Sequence, residues 1–191
     1  MIAVPFFIYN FSIYDAPLSP YYMPQDQLGS ETIYEVNYFT ALAGLMISPA
    51  RGLLVYCPLF IFSLYGLWLA RKHALKDWLY PLLAGCILVH WLLIASFGDW
   101  WGGHSYGPRY FSDLTPFFVF LLIPVLEFGL PSGTKPTRAL IAALILLQGW
   151  SLFIHAQGAT NLEARAWNRE PADINVSPER LWDWSDAPFL R

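Results

Sequence analysis

The sequence predicts an all-α fold: a polytopic bundle of transmembrane helices with four full spans, a partial span at the N-terminus and an amphipathic helix in the membrane interface. Three observations carry this reading. Of 191 residues, 56% are hydrophobic and only 13% charged, which is about half the charged share of an ordinary soluble domain. The apolar residues gather into four stretches long enough to cross a bilayer, and the three lysines are confined to two short loops between them. A water-soluble globule of this size has too much surface to cover with so few polar groups. The same arithmetic excludes a disordered chain, a collagen and a disulfide scaffold, and a net charge of −3 excludes a basic nucleic-acid binder.

The elements follow in chain order. Residues 1–14 carry no charge, and they lack both the positive leading region and the small-residue cleavage site of a secretory signal. They are too short for a hydrocarbon core of about 30 Å. The stretch reads as the second half of a spanning helix, so the chain is expected to be the C-terminal part of a longer protein. Ile33, Val36, Phe39, Leu42 and Leu45 recur every three residues, which predicts an interfacial helix over 33–46 with Ser30 near its N-cap. Full spans are expected at 52–70, 78–97, 111–130 and 138–155, each almost free of formal charge. Their prolines, Pro58, Pro81, Pro116 and Pro124, are expected to kink helices whose freed carbonyls neighbours can satisfy. The bundle thus occupies 1–157, and 158–191 form a tail.

Orientation follows from the lysines. Lys72, Lys76 and Lys135 lie in the loops 71–77 and 131–137, flanked by Arg71 and Arg138, and the positive-inside rule places both loops in the cytoplasm. Loops 11–51 and 98–110 and the tail then face outward, and all the acidic residues except Asp77 and Glu127 fall in or next to these outer segments. Cys57 and Cys86 differ in expected depth by roughly 10 Å, too far for a disulfide. His90 falls mid-span and is expected to be packed and hydrogen-bonded; His155 and Gln148 share that expectation.

The outward loops concentrate the chemistry. Residues 99–113 read DWWGGHSYGPRYFSD. Its glycines permit tight turns, and Trp100, Trp101, Tyr106 and Tyr110 offer flat faces of the kind that pack on sugars or lipid tails. Arg109 is a permanent, forked cation suited to phosphate, while Asp99, His104 and Asp113 can accept or relay protons. The plainer reading makes the tryptophans an aromatic belt and Arg109–Asp113 a tie at a helix start. A second constellation, GLMISPARGLLVYCP at 44–58, sets Arg51 at the outward boundary. A cation there needs an anionic partner, either a lipid phosphate or Asp99.

SPARGLLVYCP, an aromatic span, DWWGGHSYGPRYFSDLTPF and the closing RLWDWSDAPFLR together resemble the C-terminal half of bacterial integral-membrane glycosyltransferases of the GT-C type, from about residue 9 to 191. The resemblance implies a multi-pass enzyme of the inner (plasma) membrane with its C-terminus outside the cytoplasm. Such an enzyme takes a sugar from a polyprenyl-phosphate-linked donor at the non-cytoplasmic face. It implies donor binding by Arg51, Asp99, Trp100, Trp101, His104, Tyr106, Arg109 and Asp113, the arginines on phosphate and the rings on the prenyl chain or sugar. The acidic catalytic residue of that family lies in a first outer loop, and Asp15, in IYDAPLSPYY, does not match that motif. No catalytic residue is therefore assigned, and the missing N-terminal half or a partner subunit is expected to supply it. No cofactor is evident, no metal ligand set is proposed, and a divalent cation is left open. Two other readings compete: a non-catalytic accessory membrane protein, and a transporter or flippase fragment for a lipid-linked or anionic substrate.

Overall fold

The computed structural model describes residues 3–17, 37–72, 78–129 and 135–191. All regular elements among them are helical. The chain divides into two compact units, Met1–Val36 and Asn37–Arg191, taken here separately.

In the first unit the uncharged N-terminal stretch forms one helix, α1 (Ala3–Tyr14). It ends where Asp15 turns to a positive φ of 53°, with the Asp15 amide still bonded to the Phe11 carbonyl at 3.1 Å.

The second unit opens with α2 (Tyr38–Ile47). Its cap is Asn37, whose side chain accepts from the amides of Phe39 at 2.9 Å and Thr40 at 3.4 Å, satisfying two donors that the first turn leaves open. The expected cap Ser30 and the expected first turn, 33–36, lie outside the described residues. Ala41, Gly44 and Leu45 form the buried face of α2, a spacing that keeps them on one side of a helix. Two bonds fasten it to α5 (Leu79–Ile94): Trp91 Nε1 donates to the Leu42 carbonyl at 3.1 Å and Tyr38 Oη to the Leu92 carbonyl at 3.2 Å.

The expected span 52–70 is interrupted. A single turn, α3 (Leu53–Tyr56), is followed by a 3-10 turn over Pro58–Phe60 and then α4 (Ile61–Lys72). Proline supplies no N–H and pushes the residue before it out of the α region, and Cys57 accordingly sits at φ −132°, ψ 63°. Pro116 falls in the first turn of α6 (Thr115–Phe128), where proline is tolerated, and Pro124 lies inside that helix. α4 packs on α6 most closely at Gly66. A Cβ there would come within 1.8 Å of the Leu121 carbonyl oxygen. Ser63 Oγ donates to the Phe118 carbonyl at 3.0 Å, and the Phe60 and Phe118 rings stack at 4.6 Å.

Among the described residues, two helical segments are long and apolar enough to cross a membrane: Arg109–Phe128, where a 3-10 turn (Arg109–Leu114) runs into α6, and Thr137–Thr160 within α7 (Lys135–Thr160). α5, at 16 residues, extends about 24 Å. α7 leaves much of its apolar surface uncovered, with Ile145, Leu146 and Leu152 each more than 60% exposed. The tail is folded rather than extended: α8 (Leu162–Ala166) and 3-10 turns at Pro178–Trp182 and Pro188–Leu190 bury Trp167, Ile174, Leu181 and Phe189.

Candidate functional site

Arg51 is the polar centre of the loop region. Only 1% of it is exposed, and its guanidinium donates through Nε to the Trp101 carbonyl at 2.7 Å, and through its terminal nitrogens to the carbonyls of Ala50 at 2.9 Å and Gly103 at 3.0 Å and to Asn168 Oδ1 at 2.6 Å. Positive φ at Gly102 and Gly103, 73° and 61°, turns the chain so that both loop carbonyls converge on the cation, a conformation open to glycine at little cost. Burial lowers the Arg51 pKa to about 10, so at neutral pH it remains a cation. Its partners are neutral oxygens and the face of Trp167, 5.8 Å away. Arg51 was expected to meet a lipid phosphate or Asp99. Instead it is turned inward with four of its five N–H donors occupied, because the glycine turn and the tail surround it.

The tail completes this network. Asn168, 2% exposed, returns two bonds from Nδ2 to the carbonyls of His104 at 3.0 Å and Ser105 at 3.2 Å. Ser48 Oγ donates to the Leu181 carbonyl at 2.7 Å while accepting from the amides of Ala50 and Arg51. Trp101 Nε1 donates to Asn175 Oδ1 at 3.0 Å. His104 Nε2 meets Asp173 at 2.9 Å, and the His104 hydrogen bond holds the Asp173 carboxyl below the usual carboxylate range. Trp100 and Trp101 are 2% and 3% exposed, edge to face with each other. A Cβ on Gly44 would strike the Trp100 ring, so this ring lies directly on α2. Both indoles are therefore covered by the protein, where the sequence suggested open platforms for a sugar or lipid.

The other expected residues stand differently. Tyr106 Oη donates to the Ile154 carbonyl at 3.0 Å, and its ring meets Tyr56 edge-on; burial raises its pKa to about 12. Asp99 is half-buried, which raises its pKa, with its own amide and the charge of Arg109 opposing the shift. Asp113 is exposed, and no ion pair joins it to Arg109. His90 Nε2 lies 2.7 Å from the Tyr110 carbonyl, the packed, bonded histidine that its mid-span position suggested.

Arg109 alone among the expected cations is exposed, and its guanidinium has no hydrogen bond or ion pair among the described residues. It borders a pocket of about 290 Å³, together with Cys57, Tyr106, Ser112, Thr115 and His155 over an apolar floor. A permanent cation beside hydroxyls in a concave, partly apolar site suits an anionic oxygen group carrying an apolar body. A second hollow of about 390 Å³, lined by Leu59, Leu122, Val125, Leu144, Ile145 and Gln148 among others, is almost wholly apolar. Each is bordered by α6 and α7. From Thr115 to Leu122, and from His155 to Gln148, is seven residues on each helix, about 10 Å of rise.

His155 and Cys57 were not among the expected site residues. They belong to separate segments, and nothing in their own neighbourhoods marks them as neighbours. Among the described residues no three His, Cys, Asp or Glu side chains are grouped to hold a metal ion.

Comparison with protein families, curated proteins and solved structures finds no match.

Proposed function

We propose that this chain is the donor-binding part of a multi-pass membrane glycosyltransferase of the GT-C type, one that uses a polyprenyl-phosphate-linked sugar at the non-cytoplasmic face. Arg109 contacts the donor phosphate. The observation that carries this reading is the uncommitted Arg109 guanidinium at the rim of the 290 Å³ pocket, in the loop whose sequence resembles that family. The apolar hollow about two helical turns further along α6 and α7 supports it, because a phosphate with a long hydrocarbon tail needs both a polar and an apolar environment.

In such a transfer the departing phosphate gains negative charge, and a permanently charged guanidinium lowers the barrier by meeting it. Lysine has the charge without the fork. Replacing Arg109 by Lys in an active, full-length protein, assayed with a labelled polyprenyl-phosphate sugar in membranes, is expected to reduce turnover at least tenfold, about 1.4 kcal/mol of transition-state stabilisation. Unchanged kinetics removes Arg109 from the donor site.

The accessory-protein reading is favoured by one specific observation: Arg51, Trp100 and Trp101 are committed to internal packing. It predicts no donor-dependent sugar transfer from the isolated full-length protein.

A further inference from the structure

His155 borders the same pocket as Arg109 and has no part in the reading above. Its Nε2 lies 3.3 Å from Cys57 Sγ, and its ring is 6.1 Å from that of Tyr56. The helix around it is tied down by neighbours: the Ile154 carbonyl accepts from Tyr106 Oη at 3.0 Å, and Trp150 Nε1 donates to the Val55 carbonyl at 2.9 Å. A thiol hydrogen given to Nε2 leaves the ring proton on Nδ1, so the neutral ring is a donor, and the protonated ring is a donor at both nitrogens.

Among the described residues, the charged and titratable groups that line the pocket beside His155 are Cys57, Tyr106 and Arg109, and Tyr56 packs on the imidazole. No carboxylate is among that lining; Asp99 interacts with Arg109 through its charge. An anion there meets a permanent cation and, with the ring proton on Nδ1, a second donor.

We propose that the pocket selects phosphate monoesters over phosphate diesters, His155 donating to the oxygen that carries the second negative charge and Cys57 positioning the imidazole. This rests on the donor reading for its ligand class. In a sugar transfer, the bond between the anomeric carbon and the phosphate oxygen breaks, with both electrons staying on oxygen. The acceptor oxygen bonds to that carbon and releases its proton to water. A singly charged diester thereby becomes a doubly charged monoester, and His155 holds the oxygen on which the new charge appears.

The test is binding, independent of turnover. The full chain in phosphatidylcholine nanodiscs is titrated at pH 7.5 with farnesyl phosphate and with its methyl diester. The native chain is expected to prefer the monoester roughly tenfold, the worth of one hydrogen bond to a charged group. His155→Ala reduces that preference to near parity while the diester still binds, Arg109→Ala weakens both ligands, and Cys57→Ala narrows the preference that Cys57→Ser keeps. His155→Phe fills the ring's volume and gives the same readout should the alanine variant fail to fold. A native chain with no preference, or a preference that survives both His155 substitutions, overturns the proposal. Preference lost with His155, together with no sugar transfer by the full-length protein in membranes, upholds this anion site and overturns the transferase reading. Transfer without preference overturns this inference alone.

Discussion

Asn168 accepts a hydrogen bond from the Arg51 guanidinium at 2.6 Å, although the two lie 117 residues apart. The same amide donates to the carbonyls of His104 and Ser105, so one side chain joins the boundary turn, the glycine loop and the tail. A buried cation with no carboxylate depends on such oxygens being held in place. Asn168→Ala removes three bonds at once and is expected to cost at least about 2 kcal/mol. The measurement is thermal unfolding in detergent, followed by tryptophan fluorescence, with proteolysis of the tail as the second readout. An unchanged melting temperature would mean that the tail's attachment rests elsewhere.

The approach of α4 to α6 is set by a missing side chain. At Gly66 a Cβ would lie 1.8 Å from the Leu121 carbonyl oxygen, whereas at Gly85 on α5 it would meet nothing within 4 Å. Gly66→Ala must separate two backbones and is expected to destabilise by about 1–3 kcal/mol. Gly85→Ala gains helix propensity, roughly 0.5–1 kcal/mol. Opposite signs in the two melting curves are the expected result, and two equal shifts would contradict the close contact.

Acid acts on the tail through Asp186. Its burial alone raises the carboxyl pKa, but hydrogen bonds and charge from Arg191 and Arg180 outweigh this and hold it below the usual range. A carboxyl with a lowered native pKa contributes stability above its unfolded value of about 3.9 and loses that contribution as pH falls through the native value. Asp186→Asn should therefore melt below the native chain at pH 7. The two curves should converge as pH is taken from about 4 downward. A gap that stays constant with pH would show that the ion pairs contribute nothing.

Arg109 offers the opposite test. Being exposed and without bonds to the described residues, it is not a stability element: Arg109→Ala should shift unfolding by no more than about 0.5 kcal/mol. The same substitution should abolish retention on immobilised prenyl phosphate. Loss of folding instead of binding would make Arg109 structural, as Arg51 is.

Much of the architecture was legible because it depends on local composition. The apolar runs of α6 and α7 need only length and the absence of charge, and α1 follows from an uncharged stretch. The run at 52–70 looked equally continuous, yet Pro58 breaks it, since one missing N–H and one displaced neighbour outweigh hydrophobicity that is the same on both sides. The site was legible only in part. The loop 99–113 announced itself by its glycines, rings and charges, but which of them face inward depends on partners such as Asn168, Asn175 and Asp173, more than 60 residues further along. Arginine is read from sequence as a surface cation; here three carbonyls and an amide make Arg51 interior, and carbonyl directions are set by backbone turns that side-chain patterns do not reveal. Cys57 and His155, 98 residues apart, had no local signal at all.

The separation of Arg51 from Asn168 also has a consequence in time. Chains are made from the N-terminus at about 5–20 residues per second, so the 117 residues between the two correspond to roughly 6–23 seconds of synthesis. Through that interval the buried arginine and the carbonyls it draws together have no Asn168, and Ser48 has no Leu181. A stop codon or an unfolding lesion near residue 168 is thus a defect of the loop made long before it, and the nascent chain carries that loop half-assembled until Asn168 and Leu181 emerge from the ribosome.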